Sequence, residues 1–335
     1  MKSLIWKEYY ESEVIIICHD HVSCFAGFIL YLSPIYITFI AKILHKPIVI
    51  YANGCSGYEN KISKILVSYV LNNVDLITAR DEESFHNLEK FVWNKNRIRL
   101  TADPSILLSS IESKKISKLM REENLKKNNR LLIGVTISYE MLMKANQGNL
   151  PPNEKYKISI FKISKIFDRL IEYCHAVIIF IPHCIEPYSK RDDREVAKEI
   201  CKNMKKKHQT RILTNEYSPE ELKGIIGEFN IFIGTRIHSV IAALSMNVPS
   251  IVLTGSSDDR AYGLIGKMLK QEKWIYNIEN LDCNALFLMI TKLLYFSDNI
   301  RKSLPYIIND VKKKALFNGI LLKELINSRK VESPP

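Results

Sequence analysis

With 335 residues, 47% of them hydrophobic and 10% aromatic, the chain is long enough for two cores of Rossmann size and too apolar to be a disordered segment. A net charge of +12 and a pI near 9.2 favour anionic partners, while the lack of any arginine-rich tract, zinc-finger spacing or RNP-like aromatic motif disfavours nucleic acid. Seven scattered cysteines, none spaced C-x-x-C, read as free thiols of a reducing cytosol, and no His, Cys, Asp or Glu spacing proposes a metal.

The opening MKSLIWKEYYESEV is too charged for a secretory signal, and Val14 to Cys18 follows as a strand. Val22 to Ala41 is twenty residues without a charge, the length of a membrane span. Ser23, Gly27, Ser33, Pro34 and Thr38 inside it, and strand-like IVIYANG directly after it, favour instead a buried or membrane-facing helix. A strand over Ile48 to Ala52 ends in Asn53-Gly54, with a helix over Lys61 to Leu71. A strand over Asp75 to Thr78 ends in Ala79-Arg80-Asp81, followed by a helix over Glu82 to Phe91. The strand over Ile98 to Thr101 ends in Ala102-Asp103-Pro104. Strands alternating with helices, without hairpin signals, imply a parallel doubly wound sheet with its polar residues at the carboxyl edge.

Ser109 to Arg130 is charged and thin in apolar residues and reads as an exposed connection. LLIGVTISYE is then a strand and MKANQGNLPPNE a polar loop. The helix over Tyr156 to Tyr173 carries Ile160, Ile163, Ile166, Phe167, Leu170 and Ile171 on its inner face. Val177 to Ile181 is a strand ending in Pro182-His183, and Arg191 to Lys207 a basic helix with a solvated face. Ser218-Pro219-Glu220-Glu221 is a capping box with proline in first position. Asn230 to Lys267 reads as strand, tight turn, helix, strand and polar loop. Thr235 is its expected N-cap, and Arg236 and His238 lie in a first turn that suits an anion. Residues 296–335 look helical, then ragged.

The stretch G-T-R-I-H-S-V-I-A-A-L-S-M-N-V-P-S-I resembles the signature of the polysaccharide pyruvyltransferase family, in which a Gly-x-Arg-Leu-His turn opens an apolar helix that ends in Gly-x-Pro. Ile237 stands where Leu is usual and Asn247 where Gly is usual. K-P-I-V-I-Y-A-N-G, D-L-I-T-A-R-D-E-E-S and L-T-A-D-P resemble the family's lysine-proline strand, Arg-Asp-x-x-Ser turn and Ala-Asp-Pro turn. Pro182-His183 is similar to its Pro-His strand end. Its Tyr-x-x-Lys-x-x-Gly falls on Gly263, with Ser257 in place of Tyr and Arg260 in place of Lys. Three departures stand out. The family's opening glycine-rich unit is missing, CHDHVSC sits where a second glycine run is expected, and Thr136 to Tyr139 lacks the arginine often found there.

The resemblance implies two Rossmann-like doubly wound α/β domains facing a cleft, in the glycosyltransferase-B manner. Their expected spans are residues 1–128, shortened at the N-terminus, and 129–295, with a helical tail over 296–335. It implies a transferase that moves a pyruvyl group from phosphoenolpyruvate to a sugar of a cell-wall or extracellular polysaccharide precursor, free or lipid-linked, forming a pyruvate ketal without a further cofactor. His238 and His183 are then proton-transfer candidates, and Arg236, Arg260, Thr235 and Arg80 bind the donor. Asp81, Asp103 and Asn53 support them, Asp81 by position as a helix N-cap and Asp103 as a turn residue before Pro104. Two other readings stay open: a nucleotide-sugar-dependent glycosyltransferase of the same architecture, and a truncated non-catalytic homologue that binds a saccharide. The expected place is the cytoplasm, with peripheral contact at the inner face of the membrane through basic charge and the apolar helix.

Overall fold

The computed structural model describes residues 2–18, 27–55, 61–125, 130–145, 150–186, 189 and 191–332. Most of the CHDHVSC stretch and part of the MKANQGNLPPNE loop lie outside the described residues. The chain divides into two compact units, Met1–Leu107 with Asp310–Pro335, and Leu108–Asn309.

The first unit runs α1 (Lys2–Glu11), β1 (Ile15–Cys18), α2 (Gly27–Ile43), β2 (Ile48–Asn53), α3 (Lys61–Asn72), β3 (Leu76–Ala79), α4 (Glu82–Glu89) and β4 (Ile98–Leu100). Its strands pair in chain order, all parallel. Side chains alternate across a strand, so Ile48 and Ile50 join the core made with Ala41, Val67, Val70 and Leu71. Val49 between them points the other way and packs in a small core with Leu76 and Leu321. No helix among the described residues is long and apolar enough to cross a membrane.

The second unit contains α5 (Ser113–Glu122), β5 (Leu132–Thr136), α6 (Tyr139–Lys144), α7 (Pro152–Cys174), β6 (Val177–Phe180), α8 (Asp193–Asn203), β7 (Thr210–Ile212), α9 (Pro219–Ile226), β8 (Ile231–Gly234), α10 (Ile237–Ser245), β9 (Ser250–Thr254), β10 (Ile275–Asn277) and α11 (Cys283–Tyr295). All its strands are parallel in the order β10-β9-β8-β5-β6-β7, so the winding reverses between β5 and β8. The expected inner face of α7 is buried in the main core with Ile133, Ile178, Ile231 and Ile251. The capping box forms as read: Glu221 N–H donates to Ser218 Oγ at 3.2 Å and Ser218 N–H to Glu221 Oε2 at 2.8 Å. α12 (Ser297–Glu332) gives its first turns to this unit, where Arg301 donates to the carbonyls of Phe229, Asn230 and Asn247.

Three sequence expectations change. The described part of residues 109–130 is not a wholly exposed connection, because Ile116 and Met120 of α5 are buried and buried Lys223 of α9 donates to the Leu108 carbonyl. The division therefore falls after Leu107 rather than near 128, and from Asp310 onward α12 belongs with the first unit rather than to a separate tail. Tyr139 and Glu140 open α6 instead of extending β5, since Ser138 caps the helix by accepting from Met141 N–H at 3.4 Å.

Buried Asn318 of α12 ties this helix into the first unit. Its Nδ2 donates to Ala102 O at 3.0 Å, and its Oδ1 accepts from the Thr101 hydroxyl at 2.9 Å. Asn318→Ala takes the donor from the buried Ala102 carbonyl and leaves the Thr101 hydroxyl only Ala79 O, so it is expected to cost about 1–3 kcal/mol. Hydrogen exchange should register that loss in the amides of β2 to β4 and leave those of β5 to β9 unchanged.

Candidate active site

Open α/β sheets bind ligands at the carboxyl ends of the strands where the winding reverses. In the second unit that point lies between β5 and β8, whose following turns carry Ser138 to Glu140 and Thr235 to His238. Gly234 is needed there. A side chain would stand 2.7 Å from Val240 Cγ2 and 2.9 Å from Ser239 Oγ, so only glycine lets β8 run straight into α10. At the far end of α10, Asn247 adopts φ 61°, the left-handed conformation that asparagine tolerates better than other side chains, which accounts for its standing where glycine is usual.

Thr235 is buried and its hydroxyl is engaged within the sheet, accepting from Ser138 N–H at 2.8 Å and lying 3.2 Å from Thr136 O. Arg236, not Thr235, occupies the N-cap position of α10, and His238 is exposed in its first turn. Arg236 Nη2 donates to Asp193 Oδ1 at 2.8 Å and lies 3.4 Å from Glu140 Oε2. Its Nη1 has no hydrogen-bond partner among the described residues. Asp193 is fixed in turn by the backbone N–H groups of His183 and Cys184, at 3.0 and 2.9 Å. Three turns, after β5, β6 and β8, thus meet on one guanidinium. Burial works against the charge of Arg236, but the bond and attraction to Asp193 outweigh it and hold the group protonated.

His183 borders the same group. Burial is the main cause that lowers its pKa to about 4, with Arg236 and His238 adding to the effect. The ring is therefore neutral at neutral pH, and its buried Nδ1 has no hydrogen-bond partner. Arg260 follows β9, the neighbour of β8, where it is exposed and forks onto Asp258 at 3.0 and 3.3 Å. A cavity of about 680 Å³ is walled by Tyr139, Tyr156, Arg194, Lys198, Glu199 and Thr214, of which Tyr139 and Arg194 adjoin Glu140 and Asp193 in the chain. The two tyrosine rings lie 4.9 Å apart between centroids.

The remaining sequence candidates gather at the carboxyl edge of the first unit. Arg80 is not an arm reaching for a ligand. It is 3% exposed, lies 3.6 Å from Asp103 Oδ2, and passes so close over Gly54 that any Cβ there would collide with its guanidinium. Asp81 is the N-cap of α4, accepting from Ser84 N–H at 2.7 Å and from the Ser84 hydroxyl at 2.9 Å. Asp103 closes the expected turn by accepting from Ser105 N–H at 2.9 Å. Asn53 Nδ2 donates to Gly54 O at 3.0 Å, and its buried Oδ1 has no hydrogen-bond partner. The residue that sequence reasoning missed is Asp193. Its only signal was the acidic pair Asp192-Asp193 at the start of a basic helix, which reads as capping.

A family model described as polysaccharide pyruvyl transferase matches residues 1–257. The chain belongs to that family. The match contains the whole Arg236, His238, His183 and Asp193 cluster and ends before Arg260. Among curated proteins, the amylovoran biosynthesis protein AmsJ of Erwinia amylovora is 17% identical over 294 residues, covering 86% of this chain and 67% of that protein. Among solved structures, Anabaena Alr3699/HepE in complex with UDP-glucose superposes with a TM-score of 0.61 at 10% identity, over 97% of this chain and 81% of that one. The UDP-GlcNAc 2-epimerase of Neisseria meningitidis bound to UDP-GlcNAc gives a TM-score of 0.60 at 13% identity, over 96% and 82%. Such identities establish a common fold. Family membership makes this polysaccharide pyruvyl transferase homologue a transferase of polysaccharide modification.

The neutral state of His183 has a consequence for stability. The unfolded histidine takes up its proton near pH 6.5 and the folded one only near 4, so stability is fully present above 6.5 and declines as pH falls towards 4. The slope is roughly 1.4 kcal/mol per unit of separation. Urea midpoints measured across that window should fall with pH in the parent and fall less in His183→Asn.

Proposed function

We propose that the chain transfers the pyruvyl group of phosphoenolpyruvate to a saccharide of a polysaccharide precursor and closes a pyruvate ketal. The observation that carries this reading is the Arg236 guanidinium, anchored at the switch point on Asp193, with Nη1 without a hydrogen-bond partner among the described residues and two imidazoles beside it. Pairing the donor's phosphate or carboxylate displaces Glu140 rather than Asp193. The Glu140 side chain is 44% exposed and its contact lacks hydrogen-bond geometry, whereas that of Asp193 is 1% exposed and held by two amides. Arg260, after the neighbouring strand, supplies a second cation.

The chemistry follows from these positions. His238, exposed at the turn, delivers a proton to C3 of the enol, so that C2 becomes cationic. A sugar hydroxyl adds to C2 and gives up its proton, the C2–O bond to phosphate breaks with its electron pair on the phosphate, and a second hydroxyl closes the ketal as its proton passes to the departing phosphate. His183 Nδ1 accepts the hydroxyl proton. The donor's negative charge opposes the effect of Arg236 and raises the pKa of His183 from about 4, so the ring becomes a better base when the donor is present. The cavity walled by Tyr139 and Tyr156 has the size of a saccharide site, with aromatic surface for a sugar face and charged groups for its hydroxyls.

Arg236→Lys replaces a fork with a point charge and is expected to weaken phosphoenolpyruvate binding by about 1.5–3 kcal/mol. His238→Gln should lower turnover by about 10²- to 10⁴-fold with a smaller effect on donor affinity. Phosphate release and the ketal methyl resonance read both. Parental rates in both variants would remove the site assignment. Nucleotide release from a nucleotide sugar, with no phosphate from phosphoenolpyruvate, would establish the glycosyltransferase reading instead.

A further inference from the structure

The helical face of the first unit takes no part in the transfer reaction, yet it is built with a consistent pattern. Tyr36, Phe39 and Ile43 on α2 and Ile62, Ile65 and Tyr69 on α3 repeat the same i, i+3, i+7 spacing, and each is between 45% and 69% exposed. Neither helix is turned the wrong way, because Ala41, Val67, Val70 and Leu71 on their opposite sides are buried in the core. Six large apolar side chains on two adjacent helices exceed the scatter expected of an ordinary surface. Neither helix contains an Asp or Glu, and their only charges are Lys42, Lys61 and Lys64.

At the end of α2 the stripe meets a cavity of about 240 Å³ at the amino edge of β2 and β3. Lys42, His45, Lys46, Arg97 and Arg329 line it, against the single carboxylate of Asp75. That carboxylate is already engaged, since Oδ1 pairs with Arg329 at 2.6 Å and Oδ2 accepts from Ile48 N–H at 2.9 Å. Arg97 donates to the carbonyls of Asn72 and Val74, both at 3.1 Å, which fixes its charge at the cavity wall.

We propose that this face seats the protein on an anionic lipid surface, the apolar stripes entering the headgroup and acyl boundary and the cationic cavity covering a lipid phosphate. Apolar rings and aliphatics rimmed by lysines, with no acid among them, match the requirements of an interfacial anchor. A second copy of the chain fits less well, because a two-fold contact would set Lys42, Lys61 and Lys64 against their own counterparts. Docking through this face and the amino edge leaves open the carboxyl edge, where Asn53, Arg80 and Asp103 lie.

Flotation of the full chain with vesicles tests this. The parent should float with phosphatidylcholine mixed with phosphatidylglycerol, bind phosphatidylcholine alone at least tenfold less, and be released in 1 M salt, where screening acts over about 3 Å. Phe39→Ser with Ile65→Ser should reduce binding tenfold or more. Lys42→Glu with Lys64→Glu should do the same, each basic group near the surface being worth roughly fivefold. All four positions are exposed, so circular dichroism should match the parent. Equal flotation with neutral vesicles overturns the proposal. So does full displacement by inorganic phosphate combined with parental binding by the Phe39, Ile65 variant, which would make the cavity a site for free phosphate. A parental dimer in sedimentation that Phe39→Ser with Ile65→Ser dissociates would assign the face to a second copy and overturn it as well.

Discussion

Asp193 takes two backbone N–H bonds from the turn after β6 and holds a guanidinium from the turn after β8, while its side chain is almost wholly removed from water. A buried carboxylate survives only when it is this fully hydrogen-bonded and paired. The pairing therefore does two things at once. It joins loops on either side of β5, and it delivers Arg236 to the carboxyl edge in one orientation with one nitrogen left over. The low proton affinity of His183 comes chiefly from its burial, and the nearby Arg236 guanidinium held by this pairing adds to it.

The first unit has an ion pair in the corresponding place along its strands, Arg80 with Asp103, but there both partners are buried and the arginine is pressed against Gly54. Equal residue types at equal strand ends thus end up differently. In the second unit a long polar side chain is left partly open beside a turn. In the first it is consumed in holding three turns together, with Asn53 Oδ1 as the buried acceptor that remains.

Much of this was legible in the sequence because its causes are local. The inner face of α7, the box at Ser218 and Glu221, and the cap at Asp81 each depend on a few neighbouring residues. The turn at Gly234 to His238 was placed correctly for the same reason, although the cap fell one residue late. What was not legible depends on distant partners. Asp193 reads as a helix-start acid until Arg236, far along the chain, is brought beside it. α5 looks solvated until Ile116 meets Gly224 of α9, where a side chain would stand 2.8 Å from Ile116 Cγ1. β7 and β10, three residues each, are too short to show a period of two. The exposed stripes of α2 and α3 were visible only as hydrophobicity, since one sequence cannot say which side of an apolar helix faces water.

α12 orders events during synthesis as well as contacts. The second unit is one continuous stretch and can complete its sheet as soon as Asn309 has emerged, whereas the first, although translated earlier, lacks the cover for Val49 and Leu76 until Leu321 is made. A nascent chain therefore carries its earlier sheet half-clothed while the later one closes, reversing the usual order in which domains mature from the N-terminus. Translation speed over the last turns of α12, and chaperones that shield apolar strands, should thus weigh more heavily on yield than the amino-terminal position of that sheet suggests.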